Sequence, residues 1–288
     1  MAERVLGVIG GSGLYDLPAL TERKEHRVST TFGAPSDAVL EGRLGSTRYL
    51  FLPRHGRGHR LAPHEINYRA NILALKELGA EQILSVSAVG SLREDLPPGD
   101  VVVIDQFIDR TRMRPSTFFE GIGVAAHVSF ADPIDHALAD ALEAAAREAG
   151  GNVHRGGTYL CIEGPQFSTR AESRLYQSWG ASVIGMTNLP EARLAREAQL
   201  PYATLALVTD YDAWRAEEEG VSVADVIAVL NRNVDVARRA LVAIGSRLPD
   251  PASSPASHAL EHAVMTTPGA ITAEARVKLS CLLPSPPF

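Results

Sequence analysis

The sequence predicts an α/β fold, and three observations carry that prediction. Short β-branched runs alternate along the chain with stretches of helical periodicity. Several of the runs are almost wholly apolar, as strands covered on both faces of a sheet require. The 288 residues, 45% hydrophobic and 22% charged, suffice for one large α/β domain or two small ones. We read one domain over 1–288, with a C-terminal extension from about residue 250.

The elements follow in order. A strand at Val5–Ile9 runs into Gly10, Gly11, Ser12 and Gly13. Arg48–Leu52 is a second strand. Asn67–Leu78 sets Ala70, Leu73 and Leu78 on one helical face and meets Gly79 as a stop. Gln82–Val86 and Val101–Ile104 read as strands. Asp135–Ala149 is an alanine-rich helix ending at Gly150-Gly151. After a strand at Thr158–Ile162, Thr169-Arg-Ala-Glu172 forms a capping box for a helix that stops at Gly180. Ser182–Gly185 is a strand, and Pro190 suits the first turn of a helix to about Gln199. Tyr202–Val208 is the last strand. Ser222 is placed to cap Val223–Ile244, where Val226, Leu230, Val234 and Leu241 form a stripe. Pro249–His258 reads as a linker, and the piece beyond it is too short to be a domain.

Bulk properties exclude several functions. The net charge of −6 supplies no basic field for nucleic acid. No apolar run is long enough to span a bilayer. The N-terminus lacks the hydrophobic core and cleavage site of a signal peptide. Cys161 and Cys281 make neither a zinc-type pair nor a disulfide framework. These features lead to a cytoplasmic expectation, with no metal.

The polar residues are informative by position. Five unusual clusters each follow a predicted strand: Gly10–Gly13, Arg54-His55, Ser87-Ala88 with Gly90-Ser91, Met186-Thr187-Asn188, and Thr209–Asp212. Ligands of open α/β sheets bind beyond the carboxyl ends of strands, so five such loops predict one site. The first cluster is neither a dinucleotide fingerprint nor a Walker loop. Asp16 stands where the third glycine belongs, and no lysine follows Gly13. Its amides and the Ser12 hydroxyl still suit a small oxyanion. Arg54 offers a planar donor fork matched to phosphate. Ser12, Ser87 and Thr187 are singly ordinary turn residues, but with Arg54 they form a plausible phosphate pocket. His59 reads as a loop or interface residue.

Asp210 and Asp212 repel a phosphate and instead suit a group that donates hydrogen bonds, or proton delivery. A lone Asp there would read as a turn; the pair is less ordinary. Phe167 fits stacking on a flat ligand or filling the core. Ser168 competes with Thr169 for the capping role.

Six motifs in this order carry a family resemblance. They are Gly10-Gly-Ser-Gly, Pro53-Arg-His-Gly-Arg-Gly-His, Ala88-Val-Gly-Ser-Leu-Arg, Asp105-Gln-Phe-Ile-Asp-Arg-Thr, Ile162-Glu-Gly-Pro-Gln-Phe-Ser-Thr-Arg-Ala-Glu-Ser and Thr209-Asp-Tyr-Asp-Ala-Trp. Each is weak alone, and the set is specific. From Gly7 to Leu283 the chain resembles the trimeric purine nucleoside phosphorylase and methylthioadenosine phosphorylase family. The resemblance implies a nucleoside phosphorylase fold, with a mixed central sheet flanked by helices and the C-terminal extension over the active site.

It also implies a pentosyltransferase that cleaves a purine nucleoside with inorganic phosphate and needs no cofactor. For S-methyl-5′-thioadenosine the products are adenine and 5-methylthioribose 1-phosphate. Phosphate would lie against Ser12, Arg54, His55, Ser87, Ala88 and Thr187, and Met186 at the ribose. Asp210 and Asp212 would face the purine N7 and its 6-amino group, with Asp210 and His55 as the catalytic residues. Val223, Val226, Ile227 and Leu282 would line an apolar 5′ pocket. His127 resembles a residue that a neighbouring subunit contributes there, which implies a homotrimer or a dimer of trimers. Ser12 and Ser87 stand where threonine is frequent in the family, and Asn188-Leu189 replaces a Thr-Val pair. A broader purine nucleoside phosphorylase, a 5′-deoxy-5′-haloadenosine phosphorylase and a nucleoside-binding module remain alternatives.

Overall fold

The computed structural model describes residues 3–11, 13–14, 17–215 and 223–283, with side chains from 229 onward in the last range. The chain begins with β1 (Arg4–Gly10), β2 (Thr21–His26), β3 (Val39–Leu44) and β4 (Thr47–Pro53), then α1 (Tyr68–Glu77). Next come β5 (Gln82–Ser91), β6 (Val101–Val103), β7 (Gln106–Arg110) and α2 (His136–Glu148). They are followed by β8 (Val153–Arg155), β9 (Thr158–Ile162), α3 (Arg170–Ser178), β10 (Val183–Gly185) and α4 (Asn188–Glu197). The body ends with β11 (Tyr202–Tyr211) and α5 (Val223–Ile244), and a short α6 (Ala273–Lys278) lies beyond.

Among the described residues the strands form one 11-stranded mixed sheet in the order β2-β3-β4-β1-β5-β10-β9-β7, with β11 beside β5 and β6, and β8 beside β6. The fold class expected from the sequence is the one found. β1, β4, β5 and β11 are mutually parallel neighbours, so their carboxyl ends open on the same side. Their apolar runs are buried along most of their length because helices cover the sheet.

Two departures from regular pairing position the site. β10 runs antiparallel to the end of β5, with Ile184 opposite Gly90. Continuing that register by three residues sets Thr187 opposite Ser87. The cluster after β10 therefore reaches the site from the opposite direction to the others. In β11 the pairing jumps from Val208↔Val89 to Asp210↔Gly90, leaving Thr209 as an extra residue in a bulge.

Local chemistry explains the helix ends. Asn67 and Asp135 cap α1 and α2, and the Thr169–Glu172 capping box is formed in both directions. In α4, Leu189 has extended backbone angles, so the helical turn proper begins at Pro190.

The segment expected to be a linker is instead packed. Asp250 and Ser254 each cap a 3-10 turn with proline at its start, and the Ser254 hydroxyl donates to Asp135 Oδ2 at 2.6 Å. Beyond it, Leu260, Ile271, Leu279 and Leu282 join the main buried cluster. Val264 bridges to Ala126. The described part of the C-terminal segment thus lies against the 118–127 loop and α1.

Candidate active site

A cavity of about 770 Å³ opens at the shared carboxyl ends of β1, β4, β5 and β11. One end is built for an anion. The Arg54 amide donates to Gly10 O, which ties the β4 end to the glycine loop. Its side chain is 2% exposed. Nε donates to Glu191 Oε2 at 2.8 Å, and Nη2 contacts Ser85 Oγ at 2.7 Å, Glu191 Oε1 at 3.1 Å and Ile9 O at 3.2 Å. Nη1 donates to Val86 O at 3.0 Å. Burial opposes the guanidinium charge, and the Glu191 carboxylate outweighs it, so the Arg54 pKa is raised. The fork expected to match phosphate is thus spent largely on Glu191, Ser85 and backbone carbonyls.

Beside it, the register of β10 brings Ser87 Oγ within 3.3 Å of Thr187 Oγ1, and Tyr159 OH lies 3.2 Å from Ser87 Oγ. Gly185 makes room for that hydroxyl: a Cβ there would meet Tyr159 OH at 1.9 Å. His55 Nδ1 lies 2.9 Å from Leu61 O. A carbonyl only accepts, so Nδ1 carries the proton and Nε2 of the neutral ring is an acceptor. Burial pushes the His55 pKa down to about 4, with the Arg54 charge adding to it. His59 stacks on His55 at 4.1 Å between ring centroids.

The other end is acidic and incompletely bonded. Asp210 and Asp212 follow the β11 bulge and flank Gly90, where a Cβ would come within 3.1 Å of Asp210 Oδ1. Burial raises the pKa of Asp210; the Thr209 hydroxyl, donating at 2.7 Å, opposes that rise and the Asp212 charge adds to it. Asp212 is also raised by burial, against the Ser173 hydroxyl, the Ala213 amide and the Ser168 hydroxyl. The two serines approach outside hydrogen-bond geometry: Ser168 Oγ, Ser173 Oγ and Asp212 Oδ2 are buried without a partner among the described residues. Leu230 and Val234 of α5 supply an apolar wall.

Arg114 braces this end from below. Its guanidinium donates to Met186 O at 2.6 Å, Leu189 O at 2.8 Å, Glu163 Oε1 at 3.1 Å and Glu163 O at 2.5 Å. It thereby joins the loop that carries Met186 to the loop that carries Phe167.

Arg54, His55, Ser87, Ala88, Phe167, Met186, Thr187, Asp210 and Asp212 all line this cavity. Phe167 is 84% exposed on its rim, so it does not fill the core. Ser168 sits behind Asp212 rather than in the lining, and Thr169 alone caps α3. Leu282, 2% exposed, and the exposed His127 lie away from the cavity of their own chain. Ser12 and the side chains of Val223, Val226 and Ile227 lie outside the described residues.

Residues 5–245 match the phosphorylase superfamily. The chain belongs to that family. It is 52% identical over 283 residues to an S-methyl-5′-thioadenosine phosphorylase of Geobacter sulfurreducens, covering 98% of this chain and 99% of that one. A crystal structure of a methylthioadenosine phosphorylase from an Antarctic soil metagenomic library superposes with a TM-score of 0.93 at 49% identity, covering 98% of this chain and 100% of that one. A variant of the adenosine/methylthioadenosine phosphorylase of Schistosoma mansoni, in complex with methylthioadenosine, has a TM-score of 0.79 at 38% identity, covering 84% of this chain and 91% of that one.

Sequence reasoning overlooked two residues of this phosphorylase site. Glu191 carried one faint signal: it heads a buried helical stripe with Leu194, Ala195 and Ala198, where a carboxylate is out of place. Arg114 carried none, since it is one of three arginines in Arg110–Arg114.

Proposed function

We infer that this protein catalyses the phosphorolysis of S-methyl-5′-thioadenosine, giving adenine and 5-methylthioribose 1-phosphate. The relationship to phosphorylases of that name supports this reading. One observation carries it: a buried carboxyl pair with raised pKa values faces the hydroxyl and guanidinium cluster across one cavity. Cleavage of the glycosidic bond leaves positive charge on the sugar and negative charge on the purine. Phosphate held by Arg54, Ser87, Ala88 and Thr187, with Ser12, stabilises the sugar and attacks it. Asp210, whose carboxyl burial biases toward the protonated form, donates to N7 of the departing base. Asp212 accepts from the 6-amino group, and a 6-oxopurine has no such donor. The acceptor Nε2 of His55 takes a hydrogen bond from a protonated phosphate oxygen.

The ribose lies at Met186 and the base against Phe167. The 5′ group lies near Leu230 and Val234. An apolar wall favours a methylthio group over a hydroxyl. Inorganic phosphate is the co-substrate, and the mechanism calls for no cofactor. We place the enzyme in the cytoplasm as a homotrimer or dimer of trimers, in which a partner brings His127 to the 5′ pocket. The open rim at Phe167 and the exposed His127 suit such sharing. Among the described residues no helix is long and apolar enough to cross a membrane.

The test is product analysis with and without phosphate on methylthioadenosine, adenosine and inosine. The expected result is phosphate-dependent release of adenine, fastest from methylthioadenosine. Faster cleavage of inosine overturns the base assignment, and phosphate-independent cleavage overturns the anion site.

A further inference from the structure

We propose that Glu191 is a positioning residue for phosphate capture, fixing Arg54 so that a single Nη1 N–H is presented to the anion. The inference rests on the phosphate reading of the anion end.

An arginine carries five N–H donors. In Arg54 the Nε donor goes to Glu191 Oε2, and both Nη2 donors are absorbed by Ser85, Glu191 and Ile9 O. Val86 O takes one Nη1 donor. Among the described residues, one Nη1 N–H is left, on a side chain that lines the cavity. Glu191 itself does not line the cavity and is 1% exposed, so it acts on the anion only through Arg54.

Glu191 is held independently of Arg54. Its Oε1 also accepts from Ser85 Oγ at 2.7 Å and from Tyr202 OH at 2.9 Å. Asn188 Nδ2 in turn donates to Ser85 Oγ at 2.8 Å and to Tyr202 OH at 2.9 Å. The carboxylate is therefore a fixed template for the guanidinium plane. Its negative charge also opposes that of the guanidinium, so the anion is met by an aimed donor more than by a free cation. That suits an anion which must leave its place to attack.

The experiment is steady-state kinetics of Glu191→Gln, with phosphate and methylthioadenosine varied separately. The expected result is a phosphate KM raised about tenfold or more, with the methylthioadenosine KM within about threefold of wild type. The stabilisation of the folded protein by added phosphate should fall in parallel. If Glu191→Gln does not fold, Tyr202→Phe removes one donor to Oε1 and should raise the phosphate KM about threefold, selectively over the nucleoside. A folded Glu191→Gln, or failing that Tyr202→Phe, whose Tm drops while its phosphate KM stays at the wild-type value overturns the proposal and leaves a purely structural ion pair. A wild-type enzyme that needs no phosphate would instead remove the reading on which the proposal rests.

Discussion

The anion end and the base end of the cavity are both buried and polar, yet they are finished to different degrees. At the anion end, Arg54, Glu191, Ser85 and Tyr202 satisfy one another, and among the described residues the network's orphans are Asn188 Oδ1 and Thr204 Oγ1, the latter beside Tyr202. At the base end, Asp212 Oδ2, Ser168 Oγ and Ser173 Oγ all lack hydrogen-bond partners among the described residues. A saturated network holds its shape without ligand. An unsaturated one costs stability until something supplies the missing bonds. The contrast fits the two substrates: a small symmetric anion needs a fixed cradle, and a purine is recognised by the groups it completes.

The largest test of this contrast lies at the base end. Asp210→Asn removes the acid and should lower kcat/KM for methylthioadenosine by about 10²–10⁴-fold. A loss under about fivefold would remove Asp210 from proton delivery. Asp212→Asn should cost about tenfold in kcat/KM for the 6-amino substrate and less for a 6-oxopurine, measured side by side.

Stability separates the two ends directly. Ser85→Ala strips a bonded hydroxyl from the anion end and should destabilise by about 1–3 kcal/mol in denaturant titrations. Ser173→Ala deletes an orphan and should change stability by less than about 0.5 kcal/mol or increase it. Equal losses at both sites would abolish the distinction. A further effect concerns pH. The folded His55 pKa of about 4 lies below the ordinary 6.5, so on acidification the unfolded chain takes up a proton that the folded one refuses. Stability from this group is present above pH 6.5 and lost progressively toward pH 4. Without phosphate, His55→Gln should therefore show a smaller fall in Tm between pH 7 and pH 5 than wild type.

The parts of the fold legible in the sequence are those where burial and local pattern agree. β1, β4, β5, β9 and β11 are apolar runs inside the sheet, and the capping box at Thr169 is a local hydrogen-bond device. β2 was illegible because Thr21–His26 is charged and almost fully exposed, an edge strand held only by its pairing with β3. β7 (QFIDR) and β8 (VHR) carry too many polar residues to read as buried strands. Pro249–His258 has the composition of a linker, but Ser254 and Ala256 are buried by tertiary contacts that no local rule encodes.

In the site, strand-end position identified the polar side chains that line the cavity from β4, β5, β10 and β11. It could not reveal the second layer. Glu191 and Arg114 act through Arg54 and through backbone carbonyls, and those relations exist only once distant loops are brought together.

The bulge at Thr209 has a broader meaning. In unbroken pairing Thr209 would stand opposite Gly90 and Asp210 opposite Ser91; the added residue moves the carboxyl back beside the one neighbour that has no side chain. Deleting it would preserve the whole apolar run of β11 yet hand each later side chain to the opposite face. The identity of the group that meets the base is thus set by a count of residues as much as by their chemistry. Within this architecture, a change of one residue in strand length is a route to a new ligand that leaves the core untouched.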